Sequence, residues 1–175
     1  MEKRVLMIIA PSDFRDEELL IPKRFFEDKK IKVTVASTTK EKIKGMLSAV
    51  ATPEITLEKI SPQDYDAVIF VGGSGIDKNK LYENKDCLNI AKGFAFRGKA
   101  TAAICLGTKI LANADLLKSR KATCHESAIE YLKQKGVIYV QKDVVQDINL
   151  ITANGPNAAQ EFAEKIFNYI NKKYN

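Results

Sequence analysis

Histidine and cysteine are scarce in this chain of 175 residues, which has one histidine, His125, and three cysteines, Cys87, Cys105 and Cys124. Three is an odd number, and no two of them stand at C-x-x-C spacing, so neither a disulfide framework nor a structural zinc site is expected. No metal and no other cofactor is expected on that donor set. What stays open to the thiols is chemistry of their own, nucleophilic or redox.

Long hydrophobic runs are missing as well. No stretch approaches the roughly 20 apolar residues that span a bilayer. The opening "MEKRVLMIIAPSDFRDEE" has an apolar run only from Val5 to Ala10, followed by acids where a leader would need a cleavage site. That run reads as a buried first strand, and a cytoplasmic protein with no membrane partner is expected. Nucleotide fingerprints are lacking too. "GGSG" does not have the G-x-G-x-x-G spacing, and "GFAFRGKA" puts Ala100 where magnesium ligation needs Ser or Thr and precedes a strand, not a helix.

What is present is an ordinary globular balance, 45% hydrophobic and 29% charged, in a chain long enough for one domain over residues 1–175 with a substantial core. The formal net charge is +6. The lysines nevertheless alternate with acids, as in "TTKEKIKG" and "LYENKDCLNIAKG", which reads as a solvated surface and not as a nucleic-acid footprint.

Apolar runs of strand length alternate with stretches of helical period. "RVLMIIA" is continuously apolar after Arg4, as in a strand covered on both faces, and "FRDEELLIPKRFFEDKK" follows with helical spacing at Leu19, Leu20, Phe25 and Phe26. "IKVTVAST" is the next strand, with Val33 and Val35 on one face, and "YDAVIFVGG" is another, ended by a glycine pair. Between them "KIKGMLSAVATPEITLEKI" has β character broken at Pro53, which predicts a projecting hairpin. Later come a helix up to Gly98, the strand "ATAAIC", and a helix beginning at Leu106. The short "KATC", a helix in "ESAIEYLKQKG", and β segments at "VIYVQ", "DVVQD" and "LITA" follow, with a last helix from about Asn157 to Tyr169. This order predicts a flavodoxin-like, doubly wound, mostly parallel sheet between helical layers. In such a sheet functional groups gather beyond the carboxyl ends of the strands. The stretches 13–18, 72–75, 105–107 and 124–126 should therefore meet.

Each candidate residue has a structural and a chemical reading. Cys105 is either a small inert residue at a strand end or a nucleophile lifted on a tight turn, its thiolate favoured by a helix start. Glu18 either sits in the first turn of a helix capped by Asp16 or turns inward to the sulfur and shuttles a proton. Gly72 and Gly73 either make a turn or bring the Gly73 N–H, with that of Leu106, to one spot as an oxyanion hole. His125 either caps a helix or moves protons near neutrality. Cys124 beside it is a spectator or a resolving thiol.

In their order along the chain, "EELLIP", "IKVTVAS", "VGG", "AAICLG" and "ITANGPNAAQEFA" resemble the ThiJ/PfpI superfamily, which includes the parkinsonism-associated deglycase and the PfpI-type peptidases. The resemblance implies Cys105 as nucleophile, Glu18 as its acidic partner, and Gly73 and Leu106 as backbone donors; His125 matches the histidine of the deglycase branch. The peptidases carry histidine directly after the cysteine, where this chain has Leu106. Asp77 stands where they place a glutamate, as a candidate acidic accessory. The resemblance thus implies a cofactor-independent enzyme acting on a small-molecule carbonyl substrate such as methylglyoxal. Its alternatives are redox sensing through oxidation of Cys105 and, third, peptidase or amidase activity. It also implies a homodimer through the first helices and strands, with Arg24, Asp28, Lys29 and Lys30 at the contact.

Overall fold

The structure is a computed structural model and describes residues 2–172. β1 (Arg4–Ile8) leads through α1 (Asp16–Asp28) to β2 (Lys32–Ser37). An excursion follows, β3 (Ile43–Lys44) and β4 (Val50–Ala51), before β5 (Ile55–Thr56) rejoins the sheet at its edge. Next come β6 (Ala67–Phe70), α2 (Gly75–Lys78), α3 (Lys85–Phe96) and β7 (Ala100–Ile104), then α4 (Thr108–Asn113), β8 (Lys121–Ala122), α5 (Ile129–Gln134) and β9 (Ile138–Tyr139). The chain closes with β10 (Val144–Asp147), β11 (Leu150–Ala153) and α6 (Ala159–Lys172).

The central sheet has seven strands in the order β10-β11-β7-β6-β1-β2-β5. Neighbours are parallel throughout except β10 with β11. From β1 the chain winds outward on one side to β2 and on the other to β6, which makes the β1/β6 boundary the switch point of a flavodoxin-like sheet. The loops leaving β1 and β6 separate there, and β7 lies directly beside β6.

The continuous apolar run of β1 follows from its two buried faces. Val5, Met7 and Ile9 pack into the layer that holds Phe26 of α1 with Phe162 and Ile166 of α6. Leu6 and Ile8 pack on the opposite side, with Ile90 and Phe94 of α3 and Leu111 of α4. Val33 and Val35 share the first layer, as their spacing predicts. Along α1, Glu18, Leu19, Pro22 and Phe26 are buried at helical spacing. Glu18 is thereby carried on the inward face of the helix by its apolar neighbours.

The projecting hairpin forms from β3 and β4, paired antiparallel. Asp16 does not cap α1: the cap position is Arg15, and no side chain closes it. Instead Asp16, only 5% exposed, accepts hydrogen bonds from the Leu47 N–H at 3.0 Å and the Ala49 N–H at 2.7 Å, clamping the hairpin to the helix start. Two other boundaries differ from the sequence reading. Cys105–Gly107 forms a 3-10 turn, so the helix expected at Leu106 begins at Thr108, and Pro156–Ala158 forms another ahead of α6.

Asp16→Ala leaves two part-buried backbone donors without their acceptor, at a cost of about 1 kcal/mol. A lower denaturant midpoint, with faster hydrogen exchange at the Leu47 and Ala49 amides, is expected. An unchanged midpoint with both amides still protected would show that the hairpin is held by something else.

Candidate active site

β7 ends at Ile104, and the next residue departs from extended geometry: Cys105 has φ of 60°, a left-handed conformation uncommon for a residue with a side chain. The Thr108 hydroxyl locks the turn by donating to the Cys105 carbonyl oxygen at 2.8 Å. Gly107 presses against the Phe70 carbonyl at the end of β6, where a Cβ would collide with the backbone. The sulfur is in this way lifted over the carboxyl ends of β6 and β7. Cys105 is 7% exposed, against 0% for Cys87 and 1% for Cys124, both of whose thiols burial pushes up to about 12.

Gly72 and Gly73 follow β6. The Gly72 N–H donates to Glu18 Oε2 at 2.8 Å, and the Gly72 carbonyl accepts from the Arg15 N–H at 2.9 Å. A Cβ on Gly72 would strike Glu18 Oε2, the Cys105 Cβ at 2.6 Å and the Ile104 carbonyl at 2.8 Å, so the missing side chain is what lets carboxyl and thiol pack together. Gly73, at φ of 113°, adopts a conformation that favours glycine and turns its N–H toward the sulfur, as Leu106 does.

Cys105, Glu18, Gly73, Leu106 and His125 all line one cleft of about 240 Å³. His125 is half-buried and caps the turn that precedes α5: its Nδ1 accepts from the Ser127 N–H at 3.2 Å and lies 2.8 Å from the Ser127 hydroxyl. A ring nitrogen that accepts from a backbone amide carries no proton, which puts the proton of the neutral imidazole on Nε2. Capping and proton transfer are therefore compatible. Asp77 is not brought to the cleft. It pairs with Lys109 Nζ at 2.7 Å, and Lys109 also sits over the rings of Tyr82 and Tyr131, so the accessory carboxylate is held away.

Four residues of the cleft wall, Arg15, Met46, Ser74 and Pro156, are given no role in the sequence reading. Arg15 forms a bidentate pair with Glu17 at 2.8 and 3.1 Å while its charge also acts on Glu18 and Cys105. Its position three residues before Glu18, at a helix start, is the signal that could have found it. Met46 reaches the cleft from the hairpin, its sulfur accepting from the Ser74 N–H at 3.3 Å. No local pattern marks it. Pro156 closes the opposite wall from the turn ahead of α6.

The electrostatics reverse one expectation. Burial, joined by the charge of the Glu18 carboxylate, pushes the Cys105 thiol up, and the Leu106 and Gly73 N–H groups oppose this only in part. The helix start contributes little because α4 is six residues long and begins three positions later. Burial also pushes Glu18 up, to about 7, against the opposing pull of Cys105, the Gly72 N–H and Arg15. Glu18 Oε1 makes no hydrogen bond of ordinary geometry among the described residues, which leaves the sulfur as its neighbour. Two acids face each other out of water, and as pH rises the carboxyl gives up its proton first, at about 7, while the sulfur keeps its own.

The DJ-1/PfpI family model matches residues 3–169. An uncharacterized protein of Methanocaldococcus jannaschii is 44% identical over 171 residues, covering 97% of this chain and 83% of that one. Deglycase PfpI of Pyrococcus furiosus is 28% identical over 151 residues, 86% of this chain and 90% of that one. Among solved structures, the ThiJ/PfpI domain protein from Brachyspira murdochii superimposes with a TM-score of 0.94 at 28% identity, over 98% of this chain and 99% of that one.

The raised Glu18 has a stability consequence with a definite sign. Its carboxyl ionises at about 7 in the fold and near 4.5 when unfolded, so the unfolded chain gives up the proton first, and stability falls as pH rises between those values. The loss is on the order of 3 kcal/mol and is complete above about pH 7. Glu18→Gln cannot titrate, and denaturant midpoints should show the variant gaining on the native chain between about pH 5 and about pH 8. Parallel midpoints for the two chains across that range would rule the raised carboxyl out.

Proposed function

The chain belongs to the DJ-1/PfpI family, and on that premise we propose that it is a cofactor-independent cysteine enzyme acting on small reactive carbonyls, of the glyoxalase or deglycase kind, with Cys105 as nucleophile. The observation that carries this reading is the strained elbow that sets the Cys105 sulfur between the Glu18 carboxyl and the Gly73 and Leu106 N–H groups at the base of an open cleft. A relative that carries the name deglycase supports the substrate class.

The chemistry starts from the proton on sulfur. Passed to the Glu18 carboxylate, it leaves the carboxyl neutral, removes the repulsion that holds the thiol up, and gives the thiolate three donors. The thiolate adds to the aldehyde carbon of a dicarbonyl such as methylglyoxal. A C–S bond forms, the carbonyl π pair moves to oxygen, and the Gly73 and Leu106 amides hold the oxyanion until Glu18 protonates it to the hemithioacetal. The carboxylate so formed removes the hydrogen from that carbon, and an enediol results as the neighbouring carbonyl oxygen is protonated, with His125 Nε2–H as its donor. Glu18 returns its proton to the neighbouring carbon while the hydroxyl on the sulfur-bearing carbon gives its own back to His125 Nε2, and water cleaves the lactoyl thioester so formed to lactate, the Cys105 thiolate and two protons. One carbon is oxidised as its neighbour is reduced, so no external oxidant or electron carrier is required.

Peptidase chemistry draws no support from this site. Leu106 occupies the position of the peptidase histidine, and Asp77 is tied to Lys109 outside the cleft. The homodimer belongs to the proposal as well: Leu20 and Ile21 on α1 and Leu47 and Val50 on the hairpin are exposed apolar residues beside the Asp16 clamp.

Cys105→Ala should reduce lactate formation from methylglyoxal by at least about 10³-fold, the scale expected for loss of a covalent nucleophile. Undiminished lactate from a folded Cys105→Ala chain would refute the assignment.

A further inference from the structure

His125 borders a second space besides the cleft at the active cysteine. This cavity of about 260 Å³ is bordered by Cys124, His125, Glu126, Tyr139, Gln141 and Asn154, so the imidazole is common to the two. The cavity is built by a part of the fold outside the central sheet. β8 and β9 form their own two-stranded parallel sheet, in which Ala122 pairs with Tyr139 and the Val140 N–H donates to the Ala122 carbonyl at 2.8 Å. This sheet sets the end of β9 against the turn that carries His125 and Glu126, and Asn154 arrives from the carboxyl end of β11.

The chamber's polar groups are weighted toward acceptors. No lysine or arginine borders it, and Glu126 brings a carboxylate that makes no ion pair or hydrogen bond among the described residues. Asn154 commits its amide N–H to Asp143 Oδ1 at 3.0 Å, which leaves its carbonyl oxygen as the free end. Gln141 and Tyr139 add a carbonyl and a phenol oxygen. The sulfur side of His125 is furnished differently, with the Gly73 and Leu106 N–H groups and the Arg15 charge set around the Glu18 carboxyl.

We infer that the chamber is a specificity subsite and that the preferred substrate is a carbonyl compound tethered to a cationic nitrogen group, an ammonium or guanidinium. The carbonyl carbon lies over Cys105, the tether passes His125, and the cation is received by Glu126 with the side-chain oxygens of Gln141 and Asn154. This rests on the carbonyl-directed reading of Cys105 and adds the substrate's charge to it. A tenfold preference corresponds to about 1.4 kcal/mol, the scale of an ion attraction in a half-solvated pocket.

The test compares two α-oxoaldehydes of the same shape, one ending in trimethylammonium and the other in tert-butyl, so that charge alone differs. The native chain should convert the cation with kcat/KM about tenfold above its isostere. Glu126→Gln should erase the preference and Glu126→Lys should reverse it. Glu126 is exposed, so neither change disturbs the core. Equal efficiency of the native chain toward both compounds, or a preference that survives Glu126→Gln, overturns the subsite while leaving the Cys105 reading intact. Failure of the native chain to exceed Cys105→Ala with either compound overturns the Cys105 reading, and the subsite falls with it.

Discussion

A carboxyl group and a thiol buried side by side can keep only one negative charge between them, and the structure around Cys105 is arranged about that constraint. The pair opposes stability at neutral pH, because burial raises the Glu18 carboxyl above its ordinary value. It persists because the surroundings over-determine it. Leu19, Pro22 and Phe26 fix the inward face of α1 that carries Glu18, Gly72 yields the volume a side chain would fill, and the Cys105 backbone is held at φ of 60°. Strain held in this way by its neighbours is the usual mark of a functional position.

The fold concentrates these parts through topology. Glu18 follows β1, Gly72 and Gly73 follow β6, and Cys105 follows β7, and these three strands lie adjacent in the sheet order although up to 87 positions separate Glu18 from Cys105. The rest of the cleft comes from additions to that frame. The hairpin, clamped by Asp16, brings Met46, the turn before α5 brings His125, and the turn before α6 brings Pro156. The same turn before α5 also borders the second cavity through His125 and Glu126, so one short segment lines both spaces.

Much of this is legible in the sequence because it depends on patterns that local physics enforces. A run such as Val5 to Ala10 has to be a strand covered on both faces, and the glycine pair, the cysteine-glycine elbow and the alternation of elements place residues 18, 73, 105 and 125 beyond the carboxyl ends of the strands. What the sequence hides depends on distances between separate elements. Asp16 looks like a cap until the hairpin amides come within its reach, and Asp77 looks like a partner until Lys109 claims it. Met46 has no signature because a hairpin's reach is not written in its period. The direction of the Cys105 shift was hidden for the same reason: a helix start is visible in one dimension, whereas desolvation beneath three loops is not.

The central claim is that the Cys105 thiol becomes the nucleophile by passing its proton to the Glu18 carboxylate. The rate at which iodoacetamide alkylates Cys105, followed against pH in the native chain and in Glu18→Gln, measures this most directly. The account predicts a native rate that rises with pH about a midpoint near 7, as Glu18 ionises, and a rise there that Glu18→Gln lacks. A native rate with no step near that pH, or a step that Glu18→Gln keeps, would contradict it, because the carboxylate would then not be the base that frees the sulfur.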